Sequence, residues 1–181
     1  RTLHPGEILW YRRTLSVPAI AAGQRLLLHI GACDQRAKIF CNGQYVFEHV
    51  GGYTAFSADL TAFLHPGENE LILQVKDDLE ASQLSRGKQS SKRGSIWYTP
   101  QSGIWQTVWC ESVPENYITS LFITPHLEDG SVELNVGGEG LSVGELSVRT
   151  GEISISGSIE YVQYTKPREK TVGGFFKRLA R

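Results

Sequence analysis

Methionine is absent from this chain, and its first residue is Arg1. Together these read as a fragment or a processed chain rather than a whole gene product. No stretch approaches the roughly 18 apolar residues of a membrane span. The opening RTLHPGEILWYRRT carries charges throughout, with no apolar signal-peptide region, so no membrane partner is expected. Cysteine is scarce. Cys33, Cys41 and Cys110 are odd in number and widely spaced, which argues against a disulfide framework and leaves three small buried apolar side chains as the expectation. Asn-X-Ser/Thr sequons are missing too. These signs set the chain in a reducing, cytoplasmic compartment unless a signal segment precedes Arg1. Excess charge is also lacking: the formal net charge is −1, so nothing steers the chain to nucleic acid or to an anionic surface. The five histidines show no metal-ligand spacing with one another or with the cysteines. There is no nucleophile elbow, phosphate loop or dinucleotide fingerprint. No cofactor and no metal are expected. Helical periodicity over ten or more residues is likewise missing.

What is present is period two. In NELILQVK, Leu71, Leu73 and Val75 share one face while Ile72, Gln74 and Lys76 share the other. RAKIFC sets Ala37, Ile39 and Cys41 on one side, and Val132, Leu134 and Val136 alternate with polar residues in SVELNV. Such alternation marks strands with one face on a core. Asn42-Gly43 is a two-residue hairpin signal, and Pro66-Gly67 a turn entering a strand; DLTAFL (59–64) fits one short helical turn. Strands are expected near 8–17, 24–31, 36–41, 44–49, 69–76, 104–112 and 116–124. Many short strands joined by Gly/Pro turns predict an all-β fold, a two-sheet sandwich of jelly-roll type. One long connection, Asp77 to Gly103, is polar and rich in Gly and Ser, and unstructured loops of that length are uncommon unless functional or disordered. Composition shifts after residue 113. Residues 1–113 are expected to form the first domain, and 114–181 part of a second β domain whose basic last sixteen residues form a frayed end.

Five blocks then occur in one order: WYRRTLSVP (10–18), GQRLLLHIGACDQRAKIFCNGQYV (23–46), HVGGYTAFSADLTAFLHPGENELILQV (49–75), RGKQ (86–89) and GSIWYTPQSGIWQTVWCE (94–111). Over about residues 7–124 the chain resembles the N-terminal sugar-binding domain of glycoside hydrolase family 2, which includes β-galactosidases, β-glucuronidases and β-mannosidases. The resemblance implies a galactose-binding-like jelly roll followed by an immunoglobulin-like domain from about residue 115, incomplete here, and then a catalytic TIM barrel. A barrel needs at least about 200 residues, too many for this chain.

Retaining glycosidases place two carboxyl groups roughly 5 Å apart across the scissile bond. The resemblance puts both glutamates in the barrel, so no catalytic residue is expected here. Asn69-Glu70 repeats the family's Asn-Glu pair but sits in a turn entering a strand, and reads as a chance match. Asp77 and Asp78 are adjacent and point to opposite faces of an extended strand. They read as a solvated strand end or, through the resemblance, as a contact to a sugar hydroxyl or a cation at the rim of the barrel's site. RGKQSSKR is either a solvated loop or the segment in which Arg86, Lys88 and Gln89 complete a substrate pocket, with donors suited to hydroxyls. His29 reads as a packed or hydrogen-bonded histidine. Trp105 and Trp109 share a strand face and are assigned to packing. Trp97 and Tyr98 lie in the loop itself and are candidates for a sugar-facing or barrel-facing platform, because aromatic rings in a polar loop must find cover.

The expected role is a non-catalytic part of a β-galactosidase-like glycosidase that braces the TIM barrel and lends a loop to the pocket for terminal β-glycosides. A free-standing carbohydrate-binding module and a structural β-sandwich without sugar contact are the alternatives.

Overall fold

The computed structural model describes residues 3–4, 6–128, 131–139, 145–150, 153–158 and 177–179. In chain order the strands are β1 (Ile8–Val17), β2 (Gln24–Ile30), β3 (Cys33–Asp34), β4 (Arg36–Cys41), β5 (Gln44–Val50), β6 (Phe56–Asp59), β7 (Gly67–Lys76), β8 (Gly103–Ile104), β9 (Val108–Pro114), β10 (Tyr117–His126), β11 (Ser131–Glu139), β12 (Glu145–Thr150), β13 (Ile153–Ser158) and β14 (Lys177–Leu179). Two single 3-10 turns, Thr61–Phe63 and Leu79–Ala81, complete the regular structure. The described residues are therefore almost wholly β, as their period-two pattern requires. No helix among them is long and apolar enough to cross a membrane.

The chain divides into two compact units, Arg1–Ser112 with Glu169–Arg181, and Val113–Arg168. In the first, one sheet runs β14-β1-β7-β4-β5 and a second runs β6-β2-β9. β1 and β7 pair antiparallel along their full length, from Ile8↔Lys76 to Val17↔Gly67. Alternate residues of the first sheet turn inward: Leu9 and Tyr11, Leu71, Leu73 and Val75, Ala37, Ile39 and Cys41. They share one buried cluster with Leu28, Ile30, Phe56, Ala58 and Val108 of the second sheet. The two sheets thus bury a common core, and each fully buried leucine or isoleucine in it stabilises the fold by about 1.5–3 kcal/mol.

Asn42 (φ 50°) and Gly43 (φ 77°) both take positive φ, as the hairpin between β4 and β5 requires. The Asn42 amide also reaches across the end of the sandwich. Its Nδ2 donates to Phe63 O and Asn69 Oδ1, both at 2.8 Å, and its Oδ1 accepts from Glu70 N at 2.9 Å. Asn69 is buried and donates to His65 O at 2.7 Å. Glu70 ion-pairs with Arg12 on the surface. Asn69-Glu70 thus forms a structural clasp at this end of the sandwich.

The strand expected over 104–112 is interrupted. β8 pairs with β3, and β9 begins only at Val108. Between them Trp105 N donates to Ala32 O at 3.3 Å, and Thr107 O accepts from Gly31 N at 2.9 Å, so this stretch bonds to the β2–β3 connection.

The second unit contains two antiparallel hairpins. β10 and β11 pair from Tyr117↔Glu139 to His126↔Ser131 with an irregularity between Ile118 and Ser120. β12 and β13 pair from Glu145↔Ser158 to Thr150↔Ile153. Of residues 166–181, where a frayed end is expected, only β14 is described; the remainder of that expectation lies outside the described residues.

Candidate functional site

The connection from Asp77 to Gly103 is an ordered finger. At its base Asp77 accepts from Leu79 N at 2.9 Å through Oδ1 and from the Ser102 hydroxyl through Oδ2, and Ser102 Oγ in turn accepts from Leu3 N at 3.0 Å. One carboxylate thus clasps both ends of the connection. With Asp77 only 2% exposed, the strand end is a buried anchor and not the solvated terminus that its sequence neighbours suggest. Asp78, half-buried beside it, pairs with Lys76 Nζ at 2.6 Å. Along the finger, Glu80 accepts from Ser91 N at 2.6 Å and Ser91 Oγ at 3.2 Å. The Ser91 amide leads the interactions that hold the Glu80 carboxyl down to about 2. The two limbs are stitched by Tyr98 N to Lys88 O at 2.8 Å and Ser90 N to Tyr98 O at 3.1 Å. The tip closes where Gly94 and Trp97 exchange backbone hydrogen bonds at 3.2 and 3.0 Å.

Gln89 ties the finger to the sandwich. Its Nε2 donates to Asp34 Oδ2 at 3.1 Å and lies 3.4 Å from the Tyr53 hydroxyl, while its Oε1 accepts from Gln101 N at 2.6 Å. Asp34 is 5% exposed. Burial pushes its carboxyl up to about 6, helped by the nearby Asp77 charge and opposed by the Gln89 hydrogen bond. Asp34 Oδ1 and the buried Gln35 Nε2 have no hydrogen-bond partner among the described residues. Gly52 is required beneath Asp34, because a Cβ there would fall 2.3 Å from Oδ1. Gly52 O accepts from Trp105 Nε1 at 2.8 Å, and Tyr53 meets Trp105 edge-on with centroids 5.9 Å apart.

All seven sequence-predicted residues lie on the finger, five along its limbs and tip and two at its base. Lys88, Trp97 (41% exposed) and Tyr98 (68%) face solvent, Arg86 is half-buried with Nε donating to Gln89 O, and Gln89 faces inward as the tie. Asp77 and Asp78 stand at the base, engaged as described. Trp105, expected to pack, is 51% exposed, its indole fixed by Gly52; Trp109 is half-buried against His29 at 5.0 Å. Asp34, Gln35, Gly52 and Tyr53 were not singled out by sequence reasoning. The available signals are a charged and an amide residue, Asp34-Gln35, directly after the small and apolar GAC, and the double glycine of HVGGYTAF. Cys33 and Cys41 are buried as expected, whereas Cys110 is exposed on β9; all three are free thiols.

On the second sheet, His29 is hydrogen-bonded through Nδ1 to Ser57 Oγ at 2.8 Å and through Nε2 to Glu111 Oε2 at 3.1 Å. Burial lowers its pKa below the usual value, and the Glu111 charge opposes this only in part. Burial thus favours the neutral ring.

Chemically, the finger offers exposed aromatic rings beside guanidinium and ammonium donors, which suits stacking on and hydrogen bonding to a sugar. Its carboxylates are committed: Asp77 is buried, Asp78 is ion-paired and Glu80 accepts from Ser91, while Asp34, which meets the finger from β3, is buried. Among the described residues no three His, Cys, Asp or Glu side chains group to hold a metal ion.

The sequence pattern described as "Glycosyl hydrolases family 2, sugar binding domain" matches residues 2–114. The chain belongs to glycosyl hydrolase family 2. A family 2 relative, a putative β-glucuronidase of Formosa agariphila, is 25% identical over 126 residues, covering 69% of this chain and 14% of its own length. A β-galactosidase of Thermoanaerobacter pseudethanolicus is 28% identical over 131 residues, covering 71% of this chain and 17% of its own. The crystal structure of a family 2 member from Bacteroides cellulosilyticus has the same fold, with a TM-score of 0.64 at 20% identity over 87% of this chain and 22% of that one. The chain thus spans about a sixth or less of the length of these curated family 2 relatives.

Proposed function

We propose that this chain is a non-catalytic N-terminal part of a β-galactosidase-like glycosidase. It braces a TIM barrel carried outside these 181 residues and lends the 77–103 finger to the pocket where terminal β-glycosides are hydrolysed with retention. In the parent protein, two barrel glutamates roughly 5 Å apart supply nucleophile and acid/base. Arg86 and Lys88 donate to sugar hydroxyls, Gln89 completes the pocket indirectly by tying the finger to the sandwich, Trp97 and Tyr98 cover the substrate, and Asp77 and Asp78 fix the base from which the finger projects. The observation that carries this reading is the finger's construction: a 27-residue connection is held in one conformation by its own hydrogen bonds while Lys88, Trp97 and Tyr98 stay exposed. Chromogenic β-galactosides and β-glucuronides test it. The 181-residue chain is expected to give no turnover, and in the parent enzyme Trp97→Ala and Lys88→Ala are expected to lower kcat/KM at least tenfold. Turnover by the chain alone, abolished by changing one of its own carboxylates, overturns the reading.

The exposed and hydrogen-bonded Trp105 beside Tyr53 favours a second reading, a carbohydrate-binding module. It predicts saturable quenching of tryptophan fluorescence when the isolated chain is titrated with galactose, glucuronate or mannose.

A further inference from the structure

We propose that Asp34 and Gln89 form a latch that docks the 77–103 finger on the sandwich, with Asp34 acting through Gln89 to position Trp97 and Tyr98, and with docking weakening as pH rises. The geometry is a three-way tie. The Gln89 amide spends its donor on Asp34 of β3 at 3.1 Å and its acceptor on Gln101 N of the finger's return limb at 2.6 Å. Gln89 N and Tyr98 N bond within the finger to Arg86 O and Lys88 O, so the ring-bearing limb moves with it. Fixing Gln89 therefore fixes the strand from which Tyr98 projects and the turn that carries Trp97.

Docking leaves Asp34 with one hydrogen bond for two carboxylate oxygens. Oδ2 has Gln89, while Oδ1 lies against Gly52 and has no partner among the described residues. A buried carboxylate so poorly solvated favours its neutral form, and lifting the finger admits water, which favours the ionised form. The groups facing Asp34 reinforce this. Asp77 at the end of β7 adds negative charge, and the Cys33 thiol on β3, its pKa raised by burial, supplies none of the opposite sign. Tyr53 presents a hydroxyl from the Gly51–Thr54 turn. The cations on adjacent strands are engaged elsewhere, Lys76 with Asp78 and Arg36 with Glu48. The carboxyl stands near 6 when docked, and the burial that the finger supplies outweighs the Gln89 hydrogen bond and is lost when the finger lifts, so docking weakens as pH rises from 4 to 7. The latch's bearing on sugar chemistry rests on the proposed function; the latch itself does not.

Amide hydrogen exchange on the 181-residue chain tests it, read as protection factors so that the intrinsic pH dependence of exchange cancels. Protection at Ser90, Tyr98 and Gln101 is expected to fall severalfold from pH 4 to pH 7, while the Leu73 amide on β7 does not follow. Asp34→Asn keeps an acceptor for Gln89 but cannot ionise, and its finger protection is expected to be flat with pH. Gln89→Ala is expected to lose finger protection at every pH. A flat wild-type profile, an unchanged slope in Asp34→Asn, or full protection in Gln89→Ala each overturns the latch. A latch that behaves as stated, in a parent enzyme indifferent to Trp97→Ala, sinks the proposed function alone.

Discussion

Asp77 shows how much one side chain can organise. Its two oxygens hold Leu79 N and the Ser102 hydroxyl, so the residues that begin and end a long connection are fixed to one point. Asp77→Ala strands two donors in a buried setting and is expected to destabilise the chain by about 3 kcal/mol in denaturant titration, with Asp77→Asn losing visibly less. Gly103 plays a steric part beside it. Its φ is +97°, and a Cβ there would lie 2.2 Å from the Tyr11 hydroxyl and 2.8 Å from Leu9 Cδ2. That hydroxyl accepts from Ile104 N at 3.1 Å, so it cannot simply move aside. Gly103→Ala is expected to cost about 3 kcal/mol by the same measurement, since strain and overpacking add. Neither role is legible in the sequence. Asp77-Asp78 looks like two solvated carboxylates, and only the return of Ser102 to the same spot buries the first. Long-range partners of this kind leave no periodic trace.

Elements were more transparent. β7 is announced by Leu71, Leu73 and Val75, and the β4–β5 hairpin by Asn42-Gly43, because both signals are local: one needs an apolar face, the other positive φ. The break after β8 is hidden, since apolar residues on both faces of 104–112 read as one strand. What divides it is the bonding of Trp105 and Thr107 to Ala32 and Gly31. Trp105 was read as packing for the same reason; its ring turns outward where the ladder stops. The seven site candidates all fall on the finger, five of them beyond its base, because loop chemistry is legible in composition. Asp34, which holds the finger, lies between the expected strands 24–31 and 36–41, and nothing local points to its partner Gln89. The sheet β6-β2-β9 has its own pH signature. Ser57, His29 and Glu111 lie across its three strands, and burial lowers the His29 pKa in the folded chain below its unfolded value of 6.5. The folded state then takes up a proton less readily. The stability associated with a neutral His29 is complete above pH 6.5 and is lost as pH falls through the lower folded value. Thermal unfolding followed from pH 8 to pH 5 is expected to show the melting temperature dropping below pH 6.5, with the drop reduced in His29→Gln. Asp34 has the opposite sign: its stabilising share is complete below 3.8 and is lost as pH rises through about 6. Comparing the two single variants with wild type separates the contributions.

At the scale of the molecule, β14 joins residues that are far apart in sequence. Lys177–Leu179 lies along Trp10–Arg12 of β1, on the side that β7 leaves open. A strand flank with unmatched amides and carbonyls is a template for foreign chains, and three residues from the far end of the chain occupy its middle. Shortening the protein by its last five residues is therefore expected to leave the interior untouched while baring Trp10–Arg12 of β1 to neighbouring copies. Sedimentation velocity would register this as concentration-dependent growth that the intact chain lacks, and a monodisperse truncated form would show that the flank needs no cover. On this view the basic tail acts as a guard against sticking, and its value is measured in solubility.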